Sequence, residues 1–299
     1  MQKDITIIGV PLDLGAGRRG VDMGPFALRH ASVKERLQLA GYDVRDMGNI
    51  NVSTKDIKDF GNEKFKFLDE VKAVNEALAI QVSSIMEDGR FPLVLGGDHS
   101  IAIGTIAGIA KHKKNTGVIW FDAHGDLNTP DTTPSGNIHG MPLAVSLGIG
   151  HPDLVNIFGY APKIIPENVV LIGARDLDKG EREIIKEMGI KVFTMHEIDR
   201  MGMAQVMEEA IYHVKKHTDG VHLSLDLDGL DPNDVPGVGT PVAGGITYRE
   251  GHLAMEMIAE SNILTSVELV EVNPILDTRN KTAEIAVGLI ASALGEKLL

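Results

Sequence analysis

The sequence predicts an α/β fold in which a single doubly wound, mostly parallel sheet is flanked by helices. Three observations carry this. Apolar, strand-like runs alternate with amphipathic stretches almost from end to end, a pattern that calls for parallel pairing and right-handed crossovers. No low-complexity linker, long charge block or solenoid-period repeat divides the 299 residues, so 1–299 reads as one domain. Finally, residues able to do chemistry follow the carboxyl ends of three apolar runs, where open α/β sheets bind their ligands.

Taken in order, residues 5–10 form the first apolar run, and residues 24–40 read as a helix leading to a strand at 43–47. A helix over 64–87 precedes the strand Phe91-Pro92-Leu93-Val94-Leu95, after which Ser100 can cap a helix running through Lys111. Gly117-Val118-Ile119-Trp120-Phe121 is the next buried strand. Further strands fall at 169–172, 191–194, 221–226 and 263–270, with helices over 179–187, 204–216, 248–260 and 282–294. Two connections, 127–140 and 229–245, are too long and too rich in Gly and Pro for simple linkers, which marks them as walls of a site.

Composition narrows the class of protein. The hydrophobic share of 43% with 24% charged residues is ordinary for a globular chain. No uninterrupted apolar stretch reaches membrane-spanning length, and Met1-Gln2-Lys3-Asp4 leads into a strand rather than a secretion signal, so no membrane role is expected. Without cysteine there are no disulfides or thiolate metal sites, which fits a cytoplasmic enzyme. A formal net charge of −13 argues against nucleic-acid binding and suits a cationic substrate.

The chemistry concentrates in three motifs: Gly96-Gly97-Asp98-His99-Ser100, Asp122-Ala123-His124-Gly125-Asp126 and Asp226-Leu227-Asp228. Side chains two apart on an extended chain point the same way, so Asp122, His124 and Asp126 can converge, as can Asp226 and Asp228. A lone aspartate after a strand commonly starts a turn or caps a helix. Several crowded together repel one another unless protonated or bound to cations. The set is therefore read as a site for two divalent cations and metal-assisted hydrolysis. Oxygen-rich coordination with some imidazole favours Mn²⁺, whereas Zn²⁺ more often takes fewer ligands with more nitrogen or sulfur; Co²⁺, Fe²⁺ and Zn²⁺ stay open.

With these motifs the chain resembles the arginases of the ureohydrolase family, of the bacterial, Bacillus-like kind. The likeness extends through Arg18-Arg19-Gly20-Val21-Asp22, Ser135-Gly136-Asn137-Ile138-His139-Gly140, the segment from Arg175 to Glu181, Gly239-Thr240-Pro241 and Glu271-Val272-Asn273-Pro274, and so covers nearly the whole sequence. It implies the three-layer fold shared with related deacetylases. It also implies manganese-dependent hydrolysis of L-arginine to L-ornithine and urea, with two Mn²⁺ per subunit. By resemblance, His99, Asp122, Asp126 and Asp226 hold one ion. His124, Asp122, Asp226 and Asp228 hold the other, and a hydroxide between the ions attacks the guanidinium carbon. Asp126 passes a proton to the departing amine, His139 shuttles protons, and Glu271 orients the guanidinium. Asn128, Ser135 and Asn137 match positions that recognise the α-carboxylate. Asp178, with Glu181 nearby, matches the α-ammonium position, although the same pair fits a helix N-cap. Thr240 supports guanidinium binding.

Glu268 lies three residues before Glu271 on one strand and therefore faces the other side, so only one of the two enters the site. The family implies a homo-oligomer, hexamer before trimer. Competing readings are an agmatinase, a deacetylase and a catalytically silent regulatory protein. The complete ligand set with His139 and Glu271 weighs against the last two.

Overall fold

The computed structural model describes residues 4–52 and 60–297. Residues 1–3 and 298–299, on which the sequence reading placed the lead-in and the end of the chain, lie outside the described residues. Among those described, ten strands form: β1 (Ile5–Gly9), β2 (Val44–Asn49), β3 (Gly61–Asn62), β4 (Phe65–Lys66), β5 (Phe91–Leu95), β6 (Thr116–Phe121), β7 (Val169–Ala174), β8 (Lys191–Thr194), β9 (Gly220–Asp226) and β10 (Leu264–Val270). Eight of them make one sheet in the order β2-β1-β5-β10-β9-β6-β7-β8, every pair parallel. The short β3–β4 pair is antiparallel and stands apart.

Helices cover both faces. On one side Ile119, Phe121, Leu223, Leu225, Val267 and Leu269 pack with α1 (Gly24–His30), α2 (Val33–Leu39) and four later helices. On the other, Val94, Val118 and Trp120 meet α3 (Leu68–Glu87) and α4 (Ala102–Ala110). Alternate residues of β5 and β6 thus feed two separate cores, which is why those runs are apolar, whereas β9 and β10 alternate apolar residues with the buried polar His222, Ser224, Ser266 and Glu268. The remaining helices are α5 (Pro142–Ser146), α6 (Pro152–Val155), α7 (Lys179–Met188), α8 (Met195–Met201), α9 (Met203–Lys215), α10 (Tyr248–Ser261) and α11 (Lys281–Ala293). No described helix is long and apolar enough to cross a membrane.

Local differences from the sequence reading have local causes. The helix expected over 24–40 is two helices, because Ser32 turns left-handed at φ 61°. The helix expected from residue 64 starts at Leu68, after Phe67 at φ 56°, while residues 65–66 join the small hairpin. Asp98, and not Ser100, caps the turn into α4: its Oδ1 accepts from the Ser100 amide at 3.0 Å, and a 3₁₀ turn, His99–Ile101, comes first. Helix α8 was not anticipated, although Thr194 and Glu197 stand at capping-box spacing and the Glu197 carboxylate accepts from the Thr194 amide at 2.9 Å.

Candidate active site

Strand register builds the site. Phe121 of β6 lies level with Leu225 of β9, and Val270 of β10 with Asp226, so Asp122 and Asp226 emerge side by side at the carboxyl edge. Leu95 of β5 is level with Leu269, which brings the turn carrying His99 to the same edge. That turn passes so close to the N-terminal segment that a Cβ on Gly97 would sit 1.8 Å from the Leu12 carbonyl oxygen; only glycine fits. Two non-glycine residues here take the left-handed region, Asp126 at φ 51° and Glu271 at φ 65°. Such backbone is costly and is found disproportionately at functional positions.

His99 Nδ1 is ringed by three carboxylate oxygens, Asp126 Oδ2 at 3.0 Å, Asp226 Oδ2 at 3.1 Å and Asp122 Oδ2 at 3.2 Å. Yet neither His99 Nδ1 nor Asp126 Oδ2 has a hydrogen-bond partner among the described residues. The oxygens surround the nitrogen without lying where one could accept its proton. His124 Nδ1 faces Asp228 Oδ2 at 3.1 Å and Asp122 Oδ1 at 3.4 Å. Asp122 therefore divides its two oxygens between the two imidazoles. Ligand atoms of His99, Asp122 and Asp126, and of Asp122, His124 and Asp228, lie within 4.8 Å of one another. Asp226 adds its Oδ2 on the His99 side, while its Oδ1 accepts from the Asp228 amide at 2.8 Å.

Electrostatics agree with this geometry. Burial, then the charges of neighbouring carboxylates, push Asp126 up to about 6 and raise Asp226 and Asp228 above the usual carboxylate range. Burial alone would lower His99, but the three carboxylates outweigh it and raise the ring above the ordinary histidine range; a divalent cation would relieve the crowding and take the place of the proton on Nδ1. The cluster is fitted to hold metal.

Neighbouring groups hold the carboxylates in place. Trp120 stacks on the His99 ring, centroids 4.2 Å apart, and its indole N–H donates to Asp122 Oδ2 at 3.0 Å. The Ala123 amide and the Thr240 hydroxyl donate to the two oxygens of Asp228, at 3.2 and 2.9 Å. Arg175 donates to the carbonyls of Asp228 at 2.7 Å, Gly229 at 3.0 Å and Val242 at 2.6 Å, pinning both ends of the second long loop.

Over the cluster opens a cleft of about 140 Å³, sized for a small molecule. Asn128, Ser135, Asn137, His139, Asp178, Glu181 and Thr240 line it with the metal-facing groups; Thr133 and Pro134, in the loop read as a wall, do so too, as does Asp176, to which the sequence reading gave no role. Asp176 stands in the Arg-Asp-x-Asp segment, so the signal was present. Asn128 is engaged at both ends of its amide, donating to Asp178 Oδ2 at 2.8 Å and accepting from Thr132 at 3.0 Å. Glu181 spends its oxygens on the amides of Leu127 and Asp178, at 3.1 and 2.8 Å, and burial pushes its carboxyl up to about 7. The helix-cap arrangement and a cleft wall coexist in this segment. Glu271 lies beneath the lining and is almost fully buried; Oε1 accepts from the His99 amide at 2.9 Å, and Oε2 has no donor among the described residues.

Known proteins resemble the chain along its length. The arginase family matches residues 3–295. An arginase of Brevibacillus brevis is 66% identical over 299 residues, covering 100% of both chains. The solved arginase of Bacillus caldovelox superposes with a TM-score of 0.97 at 63% identity, again over 100% of each. The arginase of Entamoeba histolytica, solved in complex with L-ornithine, superposes with a TM-score of 0.91 at 35% identity over 99% of this chain and 100% of that one.

Proposed function

The chain belongs to the arginase family, and from that premise we propose how its cleft performs the hydrolysis of L-arginine to L-ornithine and urea. The protein is an enzyme, a hydrolase. The observation that carries the reading is His99 Nδ1, buried, without a hydrogen-bond partner and faced by three carboxylates.

His99, Asp122, Asp126 and Asp226 would hold one ion, and His124, Asp122, Asp226 and Asp228 a second. Manganese suits this oxygen-rich set. Two such ions supply a Lewis acid and a water acidified toward neutral pH. The remaining work belongs to the chain. Asp126, whose carboxylate burial and the neighbouring Asp122 charge make more basic than usual, up to about 6 in the metal-free cluster, receives a proton from the attacking water and delivers it to the departing amine. His139 at the cleft mouth exchanges protons with solvent. Glu271 offers its free Oε2 to the guanidinium from below, and Thr240 steadies Asp228. Asn128, Ser135 and Asn137 meet the α-carboxylate and Asp178 the α-ammonium, with Glu181 holding the backbone behind them. The L-ornithine held by the Entamoeba relative supports an amino-acid end of this kind.

The eight-stranded sheet takes strands from residue 5 through residue 270, which supports reading 1–299 as one domain. A cytoplasmic location, which the cysteine-free sequence suits, and a homohexamer, or failing that a trimer, which rests on family resemblance, complete the reading. Urea release from arginine and from agmatine, with and without Mn²⁺, tests it. Release from arginine alone, dependent on Mn²⁺, is expected. No release, or an equal rate with agmatine, would overturn it.

A further inference from the structure

Below the metal-facing groups, four fully buried polar side chains of β9 and β10 continue the site into the core. His222 is in register with Ser266, and Ser224 with Glu268, on the sheet face shared with Val94, Val118 and Trp120. All four have 0% exposure. The Ser224 hydroxyl donates to Glu268 Oε1 at 2.7 Å, and the same hydroxyl oxygen lies 2.7 Å from His99 Nε2. His222 Nε2 stands 3.2 Å from Glu268 Oε1, and its Nδ1 is 3.0 Å from the Ser266 hydroxyl.

Hydrogen counting settles the direction of this chain. An ionised carboxylate only accepts, and a serine hydroxyl has one hydrogen to give. With that hydrogen committed to Glu268, Ser224 can meet His99 Nε2 only as an acceptor, so Nε2 carries the ring hydrogen. In the neutral ring Nδ1 is then the bare nitrogen, and Nδ1 is the atom facing Asp122, Asp126 and Asp226. We propose that Glu268 is a positioning residue: acting through Ser224, it fixes the hydrogen of His99 on Nε2 and so keeps Nδ1 free for a cation. The proposal rests on reading His99 as a metal ligand.

Two features make Glu268 suited to the task. Burial alone would raise its carboxyl, but His222 beside it brings it below the ordinary range, so it stays an acceptor. It is also fully buried and no part of the cleft lining, away from substrate. Partners that orient a liganding histidine typically matter 10- to 100-fold for metal affinity.

The test compares wild type, E268Q and S224A, each with its melting temperature recorded. Glutamine keeps the shape of Glu268 but can donate, which frees the serine hydrogen to turn toward His99 Nε2. Mn²⁺ binding is measured by calorimetry. Hydrogen exchange at His99 Nε2 is followed by ¹⁵N NMR in protein loaded with diamagnetic Zn²⁺. Expected are a loss of roughly 10- to 100-fold in Mn²⁺ affinity and at least about tenfold faster Nε2–H exchange in both variants, since nothing then holds that hydrogen. A folded E268Q with wild-type affinity and exchange sinks the proposal; should E268Q fail to fold, S224A decides by the same two measurements. Normal Mn²⁺ uptake by wild type alongside an unchanged variant removes only Glu268. Failure of wild type to take up Mn²⁺ overturns the metal reading and this inference with it.

Discussion

His139 covers Glu271: Nδ1 of the histidine lies 3.3 Å from Oε1 of the carboxylate, the same oxygen that accepts the His99 amide. The histidine side chain is 19% exposed and the glutamate 2%, so solvent reaches the pair only from the His139 side. Two residues with separate assignments, proton exchange and guanidinium binding, are therefore coupled before substrate arrives. A guanidinium must take the free Oε2 or displace the imidazole.

The coupling has a pH signature. Burial alone would lower His139, but its contact with Glu271 outweighs that and pushes it up to about 9 in the metal-free protein. The raised value means the pair adds stability fully below the ordinary histidine value of about 6.5, and that this contribution is lost as pH rises through about 9. Glu271→Gln removes the charge, so the His139 midpoint should fall toward the ordinary value. Histidine NMR titration of both proteins checks this; a midpoint unmoved by the substitution would show that Glu271 is not the cause.

His139→Asn should lower kcat while sparing the metal cluster, none of whose nitrogens or oxygens His139 contacts at salt-bridge distance. Positioned acid–base groups contribute ~10²–10⁴-fold, and added imidazole should restore part of the rate. Unchanged kcat removes His139 from proton exchange; lost metal would assign it a structural part instead.

Asp122 faces both imidazoles, one with each oxygen, so Asp122→Ala should cost both ions, whereas Asp228→Ala should weigh on the His124 side. In wild type, Mn²⁺ should raise the melting temperature by linkage, about 2.7 kcal/mol at a hundredfold excess over the dissociation constant. Chelation should abolish activity and that stabilisation together. Metal-free Asp122→Ala relieves Asp226 and Asp228 of a neighbouring charge but strands the Trp120 indole N–H and the His124 amide without their acceptor, so it should melt below metal-free wild type. Two tightly bound ions in the variant, counted by elemental analysis, would contradict the sharing.

The strands were legible because runs such as 91–95 and 117–121 are apolar on both faces, and the metal-facing residues because Asp122, His124 and Asp126 alternate directly after one of them. The register that sets Phe121 beside Leu225 is a contact across about a hundred residues that no local pattern encodes. Ser32 and Phe67 break helices without glycine or proline, since tertiary packing outweighs propensity there. Strand alternation set Glu268 against Glu271, but Glu271 lies past the end of β10 at φ 65°, and the bond of Glu268 to Ser224 required the pairing of β9 with β10. Arg175 could be read as part of a motif; that it grips the carbonyls of Asp228, Gly229 and Val242 could not.

Substrate choice turns on the far end of the cleft. Asp178 and Asn128, fifty residues apart in sequence, are joined by a 2.8 Å hydrogen bond and present one polar wall. Agmatine lacks the α-carboxylate, and a buried group left unmatched costs about 1–3 kcal/mol. Sites built on such contacts discriminate by up to ~10⁴-fold, so arginine should be strongly preferred. Asp178→Asn separates the charge from the helix cap, because asparagine caps as well as aspartate does. Its melting temperature should hold while KM for arginine rises and kcat changes less. A raised KM with a lowered melting temperature would point to the cap instead of the ammonium. Similar kcat/KM for arginine and agmatine in wild type would remove the amino-acid end from the reading and leave the metal cluster as it stands.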